Sequence, residues 1–250
     1  MISHKTTIQV IFLSLSISML TGCKENEPLP GDPWQVSVVT PSFYPIKITQ
    51  AYGVNEEQDW KMPIHGLSQS MRKSRIDYVR TVFPDYDGFG FPLSSLTAVN
   101  GRQVGSANKH LPDSIYIYWT SLINMRFFVT KYDLPQKVKE IMAKGVSFER
   151  YDGSLGYCFR NEFFFGMLPN GKAKVWLMGC DQLIYLAELE PAREKDRDQN
   201  GTTADVYRRG SKPEKAKQRG IDAGVSTVPI PWEKVGKVYS TDTVELLSEQ

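Results

Sequence analysis

Residues 159–178, Phe-Arg-Asn-Glu-Phe-Phe-Phe-Gly-Met-Leu-Pro-Asn-Gly-Lys-Ala-Lys-Val-Trp-Leu-Met, carry the clearest hairpin signal in the chain. Two apolar runs, 159–168 and 172–178, flank Pro169-Asn170-Gly171, and an Asn-Gly pair between such runs is typical of a hairpin turn. Phe163-Phe164-Phe165 shows no alternation with polar residues, as expected for a strand that is buried on both faces. The sequence therefore predicts a β-hairpin inside the core.

Other segments with β-branched and aromatic residues surround this hairpin, and we predict further strands at 36–40, 46–52, 76–83, 114–119, 126–132 and 183–186. A short helix is predicted after Pro135, because Val138, Ile141 and Met142 fall on one helical face and Gly145 can end it. Residues 55–74 have little apolar periodicity and are predicted to be a surface loop. We expect a mainly β (α+β) domain, with an antiparallel, sandwich-like sheet and one short helix.

Near the N-terminus, Leu20-Thr21-Gly22-Cys23 ends an apolar run and resembles the lipobox of bacterial lipoproteins. The run from Val10 to Leu20 is too short to span a bilayer as a helix, and Lys5 supplies a weakly positive start. The resemblance implies that residues 1–22 are removed and that the Cys23 thiol carries a diacylglyceryl group. An ordinary secretory signal with a chance cysteine, or a short membrane anchor, remains an alternative.

Lipidation implies a protein tethered to a membrane without spanning it, because several acyl chains anchor stably where one binds only marginally. Lys24 follows the cysteine, and the absence of aspartate there favours the outer membrane, facing the periplasm. Residues 23–33 are polar and contain proline and glycine, so they are predicted to be a flexible tether. Residues 34–250 are predicted to form one periplasmic domain.

Charge and size restrict the partner classes. Removing residues 1–22 from 250 leaves 228, and since Lys5 is the only charged residue removed, 29 basic and 28 acidic residues remain, a balance of +1. This argues against a nucleic-acid partner, which normally requires a strong basic excess.

Two further cysteines, Cys158 and Cys180, could form a disulfide in an oxidising compartment. A two-residue turn at Asn170-Gly171 would leave Cys180 opposite Asn161, whereas a longer turn around 168–170 would place the two cysteines opposite each other. Two separate buried thiols are the alternative.

Composition changes at Pro191, and residues 192–224 are charged with few large apolar side chains, so we predict a mobile charged loop. Its basic cluster could touch lipid phosphates, although a solvated loop is the simpler interpretation because acidic residues precede it. The cluster consists of Arg208, Arg209, Lys212, Lys215, Lys217 and Arg219.

No pattern for catalysis or metal binding is apparent. The G-x-S-x-G nucleophile motif is missing, and His65 and His110 are isolated from other zinc-ligand types. We therefore expect neither an enzyme nor a cofactor or metal site, and a binding protein becomes the favoured class.

Several motifs are similar to those of a family of uncharacterised proteobacterial lipoproteins, over roughly residues 34–186. The matching segments are Leu111-Pro112, 115–122, 126–128, Leu134-Pro135 and 166–177, and they identify a fold better than an activity. Members are often encoded beside type VI secretion lipase effectors, and related lipoproteins act as periplasmic immunity proteins. The resemblance implies a lipoprotein that binds a phospholipase effector and blocks its active-site mouth or lid.

Glu56, Glu57, Asp59 and Trp60 are the candidate partner-binding residues, since an aromatic anchor inside a charged rim is typical of tight interfaces. Packing of Trp60 into the core is an equally good interpretation. Two other functions remain open, an envelope structural or assembly lipoprotein and a periplasmic hydrolase that uses His65 or His110.

Overall fold

The computed structural model describes residues 27–67, 75–105, 108–208 and 212–247. The predicted signal segment 1–22 and Cys23 lie outside these residues. The strands are β1 (Gln35–Val39), β2 (Ile46–Asn55), β3 (Trp60–His65), β4 (Phe91–Leu93), β5 (Val99–Gln103), β6 (Ser114–Ser121), β7 (Phe127–Asp133), β8 (Val146–Glu149), β9 (Leu155–Cys158), β10 (Glu162–Met167), β11 (Ala173–Gly179), β12 (Gln182–Leu189), β13 (Arg193–Lys195), β14 (Val238–Ser240) and β15 (Thr243–Leu246). The helices are α1 (Arg75–Val82), α2 (Gln136–Ala143), α3 (Lys212–Asp222) and α4 (Trp232–Val235), and a 3-10 helix spans Ala204–Arg208.

Eleven strands form one sheet in the order β13-β7-β6-β2-β3-β5-β1-β10-β11-β12-β15. Its neighbours are antiparallel except for two parallel pairs, β1 with β10 and β12 with β15. The remaining strands form two separate pairs, β4 with β14 and β8 with β9. The predicted mainly β fold with an antiparallel-dominated sheet is confirmed. The expectation of one helix is too low, since the described residues contain α1 to α4.

The β10–β11 hairpin is present, with Phe163 opposite Leu177 and Phe165 opposite Val175. Phe163, Phe164 and Phe165 are all 0% exposed, so this part of the sheet is covered on both faces, as predicted. Gly171 closes the turn with a φ of 93°, in the left-handed region that glycine adopts without strain.

Two hydrophobic clusters cover the sheet. The inner cluster includes residues of β1, β2, β6, β7, β10, β11 and α2, among them Val38, Ile117 and Val138. The outer cluster covers β10, β11 and β12 through residues such as Phe91 and Val235. Among the described residues, the outer cluster takes no side chain from β2, β3, β6 or β7. The outer face of these four strands therefore lies outside both clusters, although Tyr52 and Phe127 on this face are only 9% and 6% exposed.

The strand predicted at 76–83 is wrong, because this segment forms α1. Ile76, Val79 and Phe83 are buried, and their i, i+3, i+7 spacing matches one face of a helix. Tyr78 lies on the opposite face and is 45% exposed. The β-branched composition favoured a strand, but the spacing of the buried residues follows the helical period.

The loop predicted at 55–74 contains a strand, β3, while its residues 68–74 lie outside the described residues. Strand β3 pairs with the end of β2, which leaves only residues 56–59 as the connecting turn. The turn is tight because Asp59 adopts a left-handed φ of 50°. In β3 the half-buried Met62 and buried Ile64 alternate with exposed Lys61 and Pro63, a short period-two pattern.

Residues 192–224 contain β13, the 3-10 helix and α3, so the prediction of a segment that buries little is wrong for α3. Ala216 is 0% and Arg219 5% exposed, and Arg219 Nη2 donates a hydrogen bond to the Ser42 carbonyl, 2.8 Å away. Packing against the domain, which composition does not reveal, orders the helix.

The segment predicted as a tether is partly folded onto the domain. Leu29 is 4% exposed and joins the inner cluster, and its N–H donates to the Lys109 carbonyl at 2.9 Å. The ordered domain therefore begins before the predicted start at Trp34.

Candidate functional site: a tyrosine face and an exposed hairpin

Three tyrosines form a stacked group on the outer face of β2 and β6. Tyr52 and Tyr116 face each other across the strands with ring centroids 5.1 Å apart, and Tyr52 stacks on Tyr118 at 5.9 Å. The hydroxyls of Tyr52 and Tyr118 lie 3.1 Å apart and share a hydrogen bond. Tyr52 is 9% exposed and the other two rings are half-buried, so they form an aromatic floor on the face that the outer cluster does not cover.

An irregularity in β2 places Tyr52 on this face. The register between β2 and β6 shifts between Ile48 and Gln50. Ile48 and Ala51 both point into the inner cluster, three positions apart, which uninterrupted alternation would not allow. Tyr52 consequently faces outward beside Tyr116.

Lysines lie against the aromatic floor. Lys61 Nζ is 3.7 Å from the ring centroid of Tyr52, and Lys131 Nζ is 5.8 Å from that of Tyr116, both within the range of cation–π attraction. Lys131 also forms an ion pair with Asp133 at 2.9 Å, and the hydrogen bond from this pair raises the pKa of Lys131.

Burial raises the pKa of Tyr52, and its hydrogen bond with Tyr118 raises it further. The Tyr52 phenol is therefore neutral at physiological pH.

Three cations line one border of the same face. Arg193, Lys195 and Arg197 surround a cleft of about 60 Å³ whose floor includes Thr49 and Tyr118. The carboxylate of Asp198 in this cleft accepts hydrogen bonds from the N–H groups of Asn200 and Thr202 and from the Tyr207 hydroxyl. Although burial raises the pKa of Asp198, these hydrogen bonds outweigh that effect and lower it. We call the surface formed by Tyr52, Tyr116, Tyr118, Lys61, Lys131, Arg193, Lys195 and Arg197 the tyrosine face.

Strands β8 and β9 form a separate hairpin that exposes large apolar side chains. Phe148 is 47%, Leu155 67%, Tyr157 63% and Tyr151 110% exposed. Phe148 lies opposite Gly156, whereas Tyr157 lies opposite Ser147, so the apolar groups occupy both faces of the hairpin. We call residues 146–158 the aromatic hairpin.

Cys158 and Cys180 form a disulfide in the structure, with their Cα atoms 5.5 Å apart. In the β10–β11 hairpin, Met167 pairs with Ala173 and Glu162 with Met178. Continued past the strand ends, this register would place Cys180 opposite Arg160. The two registers considered from the sequence place Asn161 or Cys158 at this position, so the observed register lies between the two. Left-handed φ values at Cys180 and Asp181, 58° and 57°, turn the chain between β11 and β12 at this point. The disulfide connects the base of the aromatic hairpin to this turn.

The start of the described chain lies beside the aromatic hairpin. A Cβ atom added to Gly31 would lie 2.7 Å from the ring of Phe159, which directly follows β9. The same ring lies under Gly145, the residue that precedes β8. Residues that lead to the N-terminus therefore pack against the base of the hairpin.

The partner-binding residues predicted from the sequence lie on the β2–β3 turn and at the first position of β3. Glu56, Glu57 and Asp59 are exposed on the β2–β3 turn. Trp60 is half-buried, stacks on Trp34 at a centroid distance of 6.5 Å and packs against the inner cluster. This contact agrees with the packing interpretation of Trp60, and part of its side chain stays exposed.

The two histidines occupy different parts of the fold. His65 is exposed at the end of β3, and His110 Nδ1 lies 2.8 Å from Nε2 of Gln58 in the β2–β3 turn. Among the described residues, no group of three or more His, Cys, Asp or Glu side chains is placed to hold a metal ion.

Sequence reasoning did not identify the tyrosine face or the aromatic hairpin as sites. The hairpin had a local signal, Asp152-Gly153 between runs that contain Phe148 and Tyr157. The tyrosines were recognised as strand residues, but their common face depends on a register shift that no local pattern reveals.

Together, these features define a mainly β domain with an aromatic and cationic sheet face. A family model matches residues 21–233, and the chain belongs to that family, described as Protein of unknown function (DUF2931). The match extends beyond the expected range of 34–186 and includes the charged segment 192–224. Neither the curated proteins nor the solved structures gave a match to the chain. In the part of the chain that the structure describes, no helix is long and apolar enough to cross a membrane.

Proposed function

We propose that this protein is a lipid-anchored periplasmic immunity protein, which binds and neutralises a lipase effector of type VI secretion through its tyrosine face. The observation that carries the proposal is the stacked group of buried Tyr52 and half-buried Tyr116 and Tyr118 on a sheet face that the outer cluster does not cover, with cations at its border. The family itself is of unknown function, so the assignment depends on this surface and on the sequence motifs.

The composition of the tyrosine face fits a protein interface. Tyrosine and arginine are enriched at the energetic centres of interfaces, because their planar groups bury a large area with few rotatable bonds. The stacked rings of Tyr52 and Tyr116 already limit each other's movement, which lowers the entropy lost on binding. Lysine and arginine at the border would steer an acidic partner surface towards the rings.

The charge of the tyrosine face contrasts with that of the whole chain. Five of its eight defining residues are cations, and Asp133 and Asp198 are each engaged by neighbouring donors. The complete sequence has a formal net charge of only +2. This local excess supports a partner whose contact surface is acidic.

The proposed membrane anchor depends on Cys23. The family match begins at residue 21, so Cys23 belongs to the matched part of the chain, while most of the predicted signal segment precedes it. A lipase attacks its substrate at the membrane, and tethering raises the effective concentration of an inhibitor at that surface. In this mechanism, the tyrosine face covers the mouth or the lid of the effector's active site.

Survival of cells that carry both proteins tests the proposal. Where a neighbouring gene encodes a lipase, that lipase is directed to the periplasm together with the wild-type protein, and we expect survival. The double charge reversal Lys61→Glu with Lys131→Glu should abolish protection, whereas Lys215→Glu with Lys217→Glu on α3, which changes the net charge equally, should retain it.

Death of cells that contain normal amounts of the acylated wild-type protein would contradict the immunity function. Equal protection by both double variants would contradict the role of the tyrosine face. Purification of the wild-type protein with an outer-membrane assembly component, and without a lipase, would favour an envelope assembly function instead.

A further inference from the structure

The aromatic hairpin exposes more apolar surface than the fold requires. Phe148, Tyr151, Leu155 and Tyr157 lie within ten residues, and each is between 47% and 110% exposed. Because the apolar side chains lie on both faces, the hairpin cannot bury them by folding down onto the sheet. Exposed apolar groups clustered in this way mark a contact with another molecule or a membrane.

The hairpin is held firmly at its base and at its tip. The disulfide of Cys158 fixes the end of β9. At the tip, the Arg150 N–H donates to the Ser154 carbonyl at 2.8 Å, and the Asp152 carboxylate accepts from the Ser154 N–H at 3.0 Å. The apolar groups are thus presented on a preformed element, which lowers the cost of binding.

The position of the hairpin points to what covers it. Gly31 packs on Phe159 at the base of the hairpin, and the described chain begins only four residues earlier, at residue 27. Four more residues lead from Glu27 to Cys23, and at ~3.5 Å per residue they span at most about 14 Å. An acyl group on Cys23 would therefore keep this end of the domain close to the bilayer.

We propose that the aromatic hairpin inserts into the interfacial layer of the phospholipid bilayer that holds the acyl chains of Cys23. The proposal rests on the lipid anchor of the proposed function, and it assigns the tyrosine face and the hairpin to different partners. Phe148 and Leu155 enter the acyl region, while the hydroxyls of Tyr151 and Tyr157 stay among the head groups, a placement typical of tyrosine at membrane surfaces. The insertion orients the domain as well as tethering it.

Two matched leucines allow a direct test. Leu155 and Leu96 are 67% and 64% exposed, but they lie at opposite ends of β1. The aromatic hairpin leads into the start of β10, where Glu162 pairs with Gln35, the first residue of β1. Leu96 leads into β5, where Val99 pairs with Val38 near the last residue of β1. Leu155→Trp and Leu96→Trp therefore place a fluorescent reporter of similar exposure at the two ends.

The acylated variants are reconstituted in phosphatidylethanolamine and phosphatidylglycerol vesicles with or without brominated acyl chains, which quench tryptophan at short range. The wild-type protein, with its five tryptophans, gives the background. We expect the quenching added to this background by Leu155→Trp to be at least about threefold stronger than that added by Leu96→Trp, because the hairpin alone enters the bilayer. Equal or absent quenching at both positions would overturn the proposal. Loss of quenching at position 155 when a purified lipase effector is added would show that the hairpin is a protein contact, and would overturn it as well.

A second experiment measures membrane binding by the hairpin without the lipid anchor. Full-length protein with Cys23→Ser is mixed with the same vesicles, and Tyr151→Ser with Leu155→Ser should lower the bound fraction about tenfold relative to Cys23→Ser alone. Intact-mass measurement reports acylation independently. A mass without acyl chains would contradict the proposed function, and this experiment would then still decide whether the hairpin binds lipid. Equal vesicle binding with and without the two hairpin substitutions contradicts the inference even if Cys23 is acylated.

Discussion

Trp34 and Trp60 stack with their ring centroids 6.5 Å apart and their planes inclined by 14°. Trp34 precedes β1 and Trp60 begins β3, so this contact joins the N-terminal segment to the β2–β3 turn. Trp34 is 1% exposed, and its Nε1–H donates to the His110 carbonyl at 3.0 Å. The pair therefore stabilises the end of the sheet where the chain enters the domain.

Replacing Trp60 by alanine should destabilise the fold by about 2–3 kcal/mol, less than a fully buried tryptophan because Trp60 is half-buried. Urea unfolding measures this change in the free energy of unfolding. Glu57→Ala in the adjacent exposed turn is the control and should change stability by less than about 0.5 kcal/mol. Similar effects of the two substitutions would mean that Trp60 does not pack as described.

Gly171→Ala should destabilise the protein by about 2–4 kcal/mol, because alanine is strained at a φ of 93° and its Cβ would lie 2.4 Å from the ring of Phe128. Thermal unfolding compares this variant with Gly105→Ala. Gly105 has a similar φ of 88° but an added Cβ would meet nothing within 4 Å, so this control isolates the backbone strain. Equal losses would show that the contact with Phe128 contributes nothing.

Reduction of the Cys158–Cys180 disulfide should lower the free energy of unfolding by about 3 kcal/mol, because it releases a loop with a sequence separation of 22. For a domain of this size, the melting temperature should fall by about 6–12 °C. Calorimetry with and without dithiothreitol measures the shift. The variant with Cys158→Ala and Cys180→Ala should melt at the lower temperature under both conditions, and any response of this variant to dithiothreitol would refute the interpretation.

Asp113 gives a pH dependence that can be measured. Burial alone would raise the pKa of Asp113, but the hydrogen bonds from Lys139, 2.7 Å away, and from the Glu56 N–H outweigh it and lower the pKa. A lowered folded-state pKa adds stability above the unfolded-state pKa, and this stability is lost as pH falls through the folded-state value.

Asp113→Asn should therefore cost about 0.5–1 kcal/mol at pH 7, a small value because the pair is partly exposed, and less at pH 2.5, which lies below the usual pKa of aspartate. Urea unfolding at the two pH values measures the difference. Asp205→Asn on the exposed 3-10 helix is the control and should have little effect at either pH. A constant cost of Asp113→Asn at both pH values would contradict the ionic role of this residue.

Patterns of neighbouring residues predicted the elements of the fold that are formed by residues close together in the sequence. Asn170-Gly171 and the three consecutive phenylalanines predicted the central hairpin, and Val138, Ile141 and Met142, which are buried on one face of α2, predicted that helix. In both cases the residues that determine the element are close to one another in the chain. Segment 76–83 was predicted as a strand because its composition favours strands. The spacing of its buried residues follows the helical period, and the segment forms a helix.

The candidate sites depended on contacts that the sequence does not display. Tyr52 and Tyr116 meet because β2 pairs with β6 in a register that includes an irregularity near Thr49. Sequence reasoning selected Trp60 for its charged neighbours, but it could not show that Trp60 stacks on Trp34, which is distant in the sequence. A register between distant strands is a tertiary property, and composition carries little information about it.

The parallel pairing of β1 with β10 has a consequence for how the polypeptide reaches its native state. The side-chain amide of Asn161, which directly precedes β10, donates to the Pro33 carbonyl across 128 positions of sequence, and β1 is the strand that joins the two halves of the sheet. Synthesis or export that stops before residue 166 leaves β1 with β5 as its only partner on one side and an open edge on the other. The centre of the sheet can therefore form only after β10 has been synthesised or exported. Until then, the open edge of β1 is a site where incomplete chains can pair wrongly with one another.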